Sequence, residues 1–431
     1  MIAVAALLPA APASGWTPPQ PIFGGAARDV FAVSGDPAGN AFALVLGDSL
    51  DRPLSLIERS GAGDNPFTWK GARPLPGGER YFTTGLDHLD SFQSAAAGDG
   101  SGLIAWRAPL GGGATTLTVL LREPPQPFAL PITIAGADLS PRAGVSVAIN
   151  ASSTALVAFR IGRGSRSSRV TAATRIAPRS FGRPRVLSAS PSGSPVTAVG
   201  GDGASVVAWI RSRRVEARRF DASGLLRPVE RLGRARFNEG ISAALGKSGA
   251  GLIAWQDSKA AIRAVRRGAP GTFAGARLVR AVRSGARVDG LSTAVDDRDR
   301  VYVAWRETRS SSRRVLVAAA PKGGPFTFTQ LASGSGLGAP SLAARPGGGA
   351  AVAWRAPTAW QARVAPASGV FTAVNPVSRA LAGIDSSFAR AALIAGPDIR
   401  VDLFWPQRGV DDAQTQIYQS SDETAPPVPG G

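Results

Sequence analysis

The chain has 431 residues and a single histidine, His88, which stands between Asp87 and Asp90 with Glu79 and Tyr81 just upstream. An imidazole beside carboxylates has the chemistry of a general base or a metal ligand. The ordinary role of such a cluster is a solvated loop, so Asp87, His88 and Asp90 are weak catalytic candidates, and no metal or cofactor is assigned to them. There is no cysteine, which excludes disulfides and thiolate metal sites. Zinc-spaced histidines, a glycine-rich phosphate loop and a serine nucleophile elbow do not occur either.

The second candidate chemistry is cationic. Residues 160 to 314 hold 30 Arg and 2 Lys against 11 Asp and Glu, a net of +21, while the rest of the chain nets −2. Arg163, Arg166, Arg213, Arg214, Arg309, Arg313 and Arg314 fall in short connections, with Arg211 and Arg306 beside them. Clustered guanidinium groups raise the local concentration of an anionic partner and speed its capture. The expected partner is an anionic polysaccharide, a wall polymer such as a teichoic or uronic acid chain, anionic lipid headgroups, or another envelope protein. Nucleic acid is not expected, because no aromatic rings for base stacking interleave with these arginines. A plain alternative is a solvated rim with a coding bias toward Arg. Trp360 could stack on a sugar, although packing within a strand is the commoner use of such a ring.

The elements that must position these residues are legible in a repeat. Gly251-Leu-Ile-Ala-Trp255 returns as Gly102-Leu-Ile-Ala-Trp106, Ala155-Leu-Val-Ala-Phe159, Ser205-Val-Val-Ala-Trp209, Tyr302-Val-Ala-Trp305, Ala351-Val-Ala-Trp354 and Val401-Asp-Leu-Phe-Trp405, with a faded copy at Asn40-Ala-Phe-Ala-Leu44. From Trp106 onward the aromatic markers are 53, 50, 46, 50, 49 and 51 residues apart. That is the period of a four-stranded propeller blade. A strand rich in small residues precedes each marker, as suits the crowded centre of a ring. Turns such as Gly98-Asp99-Gly100 and Gly201-Asp202-Gly203 join the two strands. Asp296-Asp297-Arg298-Asp299 occupies the same kind of turn and is read as one, not as a calcium loop.

A second series follows the markers: Trp16, Trp69, Phe128, Phe181, a substituted Leu226, Phe273, Phe326 and Phe371. Trp16 has no three strands before it, and the last repeat lacks a fourth strand after it. Pairing the two ends removes two exposed sheet edges. The sequence therefore predicts an all-β, eight-bladed β-propeller of four-stranded antiparallel blades, with Trp16 to Ile22 completing the last blade; seven blades is the alternative. In such a ring the two-to-three and four-to-one connections share one face. This face would carry the arginine loops and also the join holding Asp87, His88 and Asp90.

Residues 1–14 begin with a short apolar run ending in Ala11-Pro12-Ala13, the small-residue pattern of a signal-peptide cleavage site. The expected division is a signal peptide or its remnant over 1–14, the propeller over 15–419 and a disordered tail or linker over 420–431. No segment is long and apolar enough to anchor in a membrane as a helix. A secreted, possibly wall-associated monomer is the expected state.

The repeat resembles the secreted bacterial propellers of the WD-repeat-like and sialidase-repeat (BNR, Asp-box) kind, from Trp16 to Gln419. The turn motif of the second group, Ser-x-Asp-x-Gly-x-Thr-Trp, is approached at Asp64-Asn-Pro-Phe-Thr68-Trp69 and eroded at Pro325-Phe-Thr-Phe328 and Gly369-Val-Phe-Thr372. The resemblance implies an architecture. Sialidases themselves carry an arginine triad and a Tyr–Glu nucleophile pair, whereas this chain has three tyrosines, with Tyr302 in a core strand. The expected function is thus a non-catalytic binding or scaffold propeller at the cell envelope. The alternative is a glycan-active enzyme, a sialidase-like hydrolase or lyase.

Overall fold

The computed structural model describes residues 16–17, 20–22, 27–36, 39–47, 54–59, 69–75, 92–111, 114–124, 126–135, 144–162, 167–236, 240–259, 261–268, 271–378, 392–395, 401–408 and 415–422. The strands that carry the markers have apolar residues at consecutive positions, so both of their faces must be covered. Gly251–Gln256 is buried along its whole length, and Trp106, Trp209, Trp255, Trp305, Trp354 and Trp405 are all fully buried. Each lies second from the centre of its sheet, and the hydrophobic core sits between neighbouring sheets rather than within one. Blades five and six, for example, share Leu252, Ile262, Val303, Trp305 and Leu316.

The sheets number eight, and their strands run antiparallel in the order inner, second, third, outer. Blade four is representative, with Val196–Val199, Ser205–Arg211, Arg214–Phe220 and Glu230–Arg234. Blade three differs in having its outer strand split into Ser180–Phe181 and Arg185–Val186. Inner strands contact one another around the full circle. Small hydroxyl residues bridge several of these contacts, among them Ser34 to Ser94 at 2.7 Å, Ser146 to Thr197 at 2.8 Å and Ser242 to Thr293 at 2.9 Å.

The predicted closure is present. In blade eight, Gln20–Pro21 is the outer strand and pairs with Thr415–Ser421, Gln20 opposite Gln419 and Pro21 opposite Tyr418. Trp16 bridges Asp422, and Trp405 pairs with Tyr418, so Trp16 and Trp405 share one sheet. Blade one then locks onto blade eight. The indole N–H of Trp69 donates to Gln419 Oε1 at 2.8 Å, and Arg59 forms a buried ion pair with Asp402 at 2.5 Å.

On the face carrying the inner-to-second turns, acidic side chains are consumed by the backbone. Asp296 Oδ1 accepts the N–H groups of Arg298 and Arg300, both at 2.9 Å, while its Oδ2 accepts Gly349 N–H at 2.8 Å and the Tyr302 hydroxyl at 3.0 Å. These bonds tie blade six to blade seven. Asn150 does the same between blades three and four by donating to Gly200 O at 2.7 Å. Turn residues here act as stitches between blades, because a backbone group that is buried must find a partner.

Candidate functional site

The opposite face carries the turns between second and third strands. Blade four makes its turn with only Ser212 and Arg213, at φ 49° and 60°. Both central residues of this tight hairpin are left-handed, as a type I′ turn requires, yet neither is Gly or Asn. Non-glycine residues held there cost about 1–2 kcal/mol each. Strain of this sort collects at functional sites, where a side chain is kept for what it presents.

Strand register then lines up charge. Arg211 lies opposite Arg214, and Arg214 lies opposite Arg234 on the outer strand. Three arginines thus form a row across three strands, with exposed Arg213 at the tip of the turn. Glu216, buried beneath them, neutralises only one. It accepts Arg211 Nε at 2.9 Å and Nη2 at 2.7 Å, and also the Trp209 indole N–H at 3.1 Å. The hydrogen bond to Glu216 raises the pKa of Arg211 above its ordinary value. Arg213, Arg214 and Arg234 have no side-chain partner among the described residues, and all three are exposed. Like charges placed directly opposite one another oppose sheet pairing by roughly 0.2–1 kcal/mol.

Blade six repeats the theme. Ser310, at φ 52°, turns the chain between Val301–Arg309 and Ser312–Ala320. Arg309 is exposed, and Arg314 lies opposite Glu307 in the register without bonding to it. Glu307 instead accepts the Trp305 indole N–H at 3.2 Å, while its second oxygen has no partner among the described residues. Arg313 donates to Leu337 O at 3.1 Å, which fixes its position but leaves its charge uncompensated. Arg306 is spent on Asp289 at 2.6 Å. Between the two hairpins, blade five contributes Lys259 and a neutralised pair, Arg263 with Asp257 at 2.5 Å. Burial alone would raise the Asp257 carboxyl, but the bond from Arg263 and the N–H groups of Ala261 and Lys259 outweigh it and hold the pKa low.

The arginine surplus is therefore not one uniform patch. A large part of it serves the fold, at the end of the third strands and one blade period away. Arg175 binds Glu123 and Ser153 O, Arg219 reaches Gly271 O at 2.8 Å, and Arg266 caps Gly324 O at 2.8 Å while lying over Phe326. Among the described residues, the turn-face arginines left without a side-chain partner include Arg213, Arg214 and Arg234 in blade four and Arg309 and Arg314 in blade six.

Other sequence candidates fare differently. Arg163, Arg166, Asp87, His88 and Asp90 lie outside the described residues. Trp360 opens the third strand of blade seven and is 2 % exposed, packed with Trp16, Ala351 and Trp405. Its ring lies in the core between blades seven and eight, the packing role that the sequence reading set beside stacking on a sugar. Arg234 was not among the sequence candidates. It follows Arg214 by twenty residues, and the two are brought opposite by a register shift at Val215/Glu216 that no local pattern announces. Among the described residues there is no group of three or more His, Asp or Glu that could hold a metal ion, and no helix long and apolar enough to cross a membrane.

No family model and no curated protein matches the chain. Solved structures do match in shape. The lectin BP39L from Burkholderia pseudomallei superposes with a TM-score of 0.56 at 13% identity, covering 82% of this chain and 100% of that one. A PL25 ulvan lyase, a polysaccharide lyase, gives 0.47 at 10% identity over 81% of this chain and 96% of its own. The polysaccharide lyase Uly1 gives 0.49 at 10% identity over 92% and 90%. At these identities the likeness is one of fold.

Proposed function

We propose that this protein is a non-catalytic binding propeller that grips an anionic polysaccharide or wall polymer through the turn face of blades four to six, as a secreted monomer at the cell envelope. The observation that carries the reading is the row Arg211, Arg214 and Arg234 with Arg213 at its tip: four guanidinium groups, one buried carboxylate between them, and a strained turn that holds them together. A like-charged row is unfavourable by itself and becomes favourable when an anion lies along it. A polymer suits the arrangement better than a small ion, because a second free set, Arg309 and Arg314, stands two blades further on. The similarly shaped lectin agrees with a saccharide partner, but the weight rests on the arginines.

The test is retention on immobilised heparin and polygalacturonate as a function of salt. Screening falls to about 8 Å at physiological ionic strength, so retention through exposed arginines must drop as salt rises. Neutralising Arg213, Arg214, Arg309 and Arg314 together should move elution of the folded protein to much lower salt. Unchanged elution would sink the proposal.

A further inference from the structure

On the face opposite the arginine row, blades three and four part to leave a cleft of about 490 Å³. Its floor is Ser205, at the start of the second strand of blade four, and its walls include Thr154 and Thr174 from blade three and Phe220 and Ala222 from blade four. A volume of this order suits a small ligand. Two buried polar atoms that line it lack a partner among the described residues. Ser205 is 2 % exposed, yet its hydroxyl has no hydrogen-bond partner. Arg175, which also lines the cleft, donates Nη1 to Ser153 O at 2.7 Å and pairs with Glu123, but its buried Nε is unpartnered. Buried polar atoms are nearly always satisfied, and two orphans in one cavity point to a guest that supplies the missing partners.

The walls indicate what that guest is. Serine and threonine hydroxyls match a ligand with many hydroxyl groups. Phe220 and Ala222 offer an apolar side for a ring face. Arg185, exposed in the second piece of the split outer strand, has no side-chain partner among the described residues and stands at the cleft as a cation. Asp221, the cleft's own carboxylate, is already occupied: it accepts the Ser223 hydroxyl at 2.6 Å, the Leu225 N–H at 2.9 Å and Arg227 at 2.8 Å. Net charge left over for a ligand is therefore positive.

We infer that the cleft between blades three and four binds one hexuronate unit, a sugar ring bearing a carboxylate, with Arg185 facing the carboxylate and Ser205, Thr174 and Arg175 Nε meeting hydroxyl and ring oxygens. This site is separate from the polymer-binding face, and neither depends on the other.

Saturation-transfer NMR with D-glucuronate as probe and D-glucose as its uncharged counterpart tests it, on the whole protein. Glucuronate should bind at least about tenfold more tightly than glucose, the worth of one charge-assisted contact. Ala222→Trp, at an exposed position, should abolish the signal by filling the mouth; Arg185→Ala should remove the preference for glucuronate; Ser205→Ala should weaken binding several-fold. The pair Arg213→Ala and Arg214→Ala should leave glucuronate binding unchanged while lowering retention on polygalacturonate, which keeps the two sites distinguishable. No transfer from glucuronate, equal transfer from glucose, or binding indifferent to Ala222→Trp in a folded variant would each overturn the inference.

Discussion

Arg59 and Asp402 stand 343 positions apart in the chain and 2.5 Å apart in space, with neither side chain open to solvent. Arg59 also donates Nε to Gly39 O at 2.9 Å, so one guanidinium holds a turn of blade one and the second strand of blade eight. Removing one member of a buried pair strands the other charge, at a cost of about 3–5 kcal/mol, whereas replacing both with apolar residues is often neutral. Asp402→Asn should therefore lower the midpoint of thermal unfolding sharply, and Arg59→Met combined with Asp402→Leu should recover most of it. Equal damage from the single and double replacements would show that the pair itself is not what blade one and blade eight depend on.

The hairpin at Ser212 and Arg213 sets stability against binding. Ser212→Asn with Arg213→Gly gives the turn the residues its backbone favours. The double variant should be more stable by roughly 1 kcal/mol and should elute from heparin at lower salt. Denaturant unfolding and chromatography on the same preparation decide the matter. A variant that gains stability and keeps full retention would remove Arg213 from the binding surface.

Trp360→Ala should act on the fold alone. Emptying a fully packed aromatic site costs about 3–5 kcal/mol, and polymer retention by the protein that remains folded should match the parent. A loss of retention without loss of stability would return the ring to the binding site.

Stability should be flat near neutrality and fall at both extremes of pH. Asp257 and Asp299 titrate lower in the folded state than as free carboxyls; in each, burial works the other way but is outweighed by hydrogen bonds, from Arg263 to Asp257 and from Lys322 and Ser248 to Asp299. A lowered carboxyl contributes stability above its unfolded value, near 3.9, and loses it as pH falls through the folded value. Tyr302 is raised by burial and by Asp296 beside it. Its contribution is complete below its unfolded value of about 10 and declines as pH climbs beyond that. Tyr302→Phe should flatten the alkaline limb of a melting-temperature profile, and Asp257→Asn should make the acid limb shallower.

The ring was legible in the sequence because each marker meets the same demand, a large ring buried between two sheets, and so recurs at one period. The closure was legible for a similar reason: Trp16 and Trp405 each lacked the strands that the other could supply. The partners of the arginines were not legible. Arg175 finds Glu123 52 residues away, and Arg266 finds Pro321 O at a separation of 55, across a blade boundary. Such partners depend on how neighbouring sheets are set against each other, and no local pattern records that. Arg211 and Arg214 read alike in the sequence, yet buried Glu216 takes one and leaves the other. The split outer strand of blade three was hidden as well, and with it the cleft lined by Arg185.

The outer strand of blade eight, Gln20–Pro21, meets its partner only at Tyr418 and Gln419. A ribosome releases the first of these segments long before the second. At typical synthesis speeds of 5–20 residues per second, that interval is on the order of half a minute. Throughout it the growing array carries two raw sheet edges, each able to recruit a stray strand. The crescent therefore stays open until Thr415–Ser421 is available, and a chain stalled shortly before Thr415 would be sticky although seven of its blades were already built.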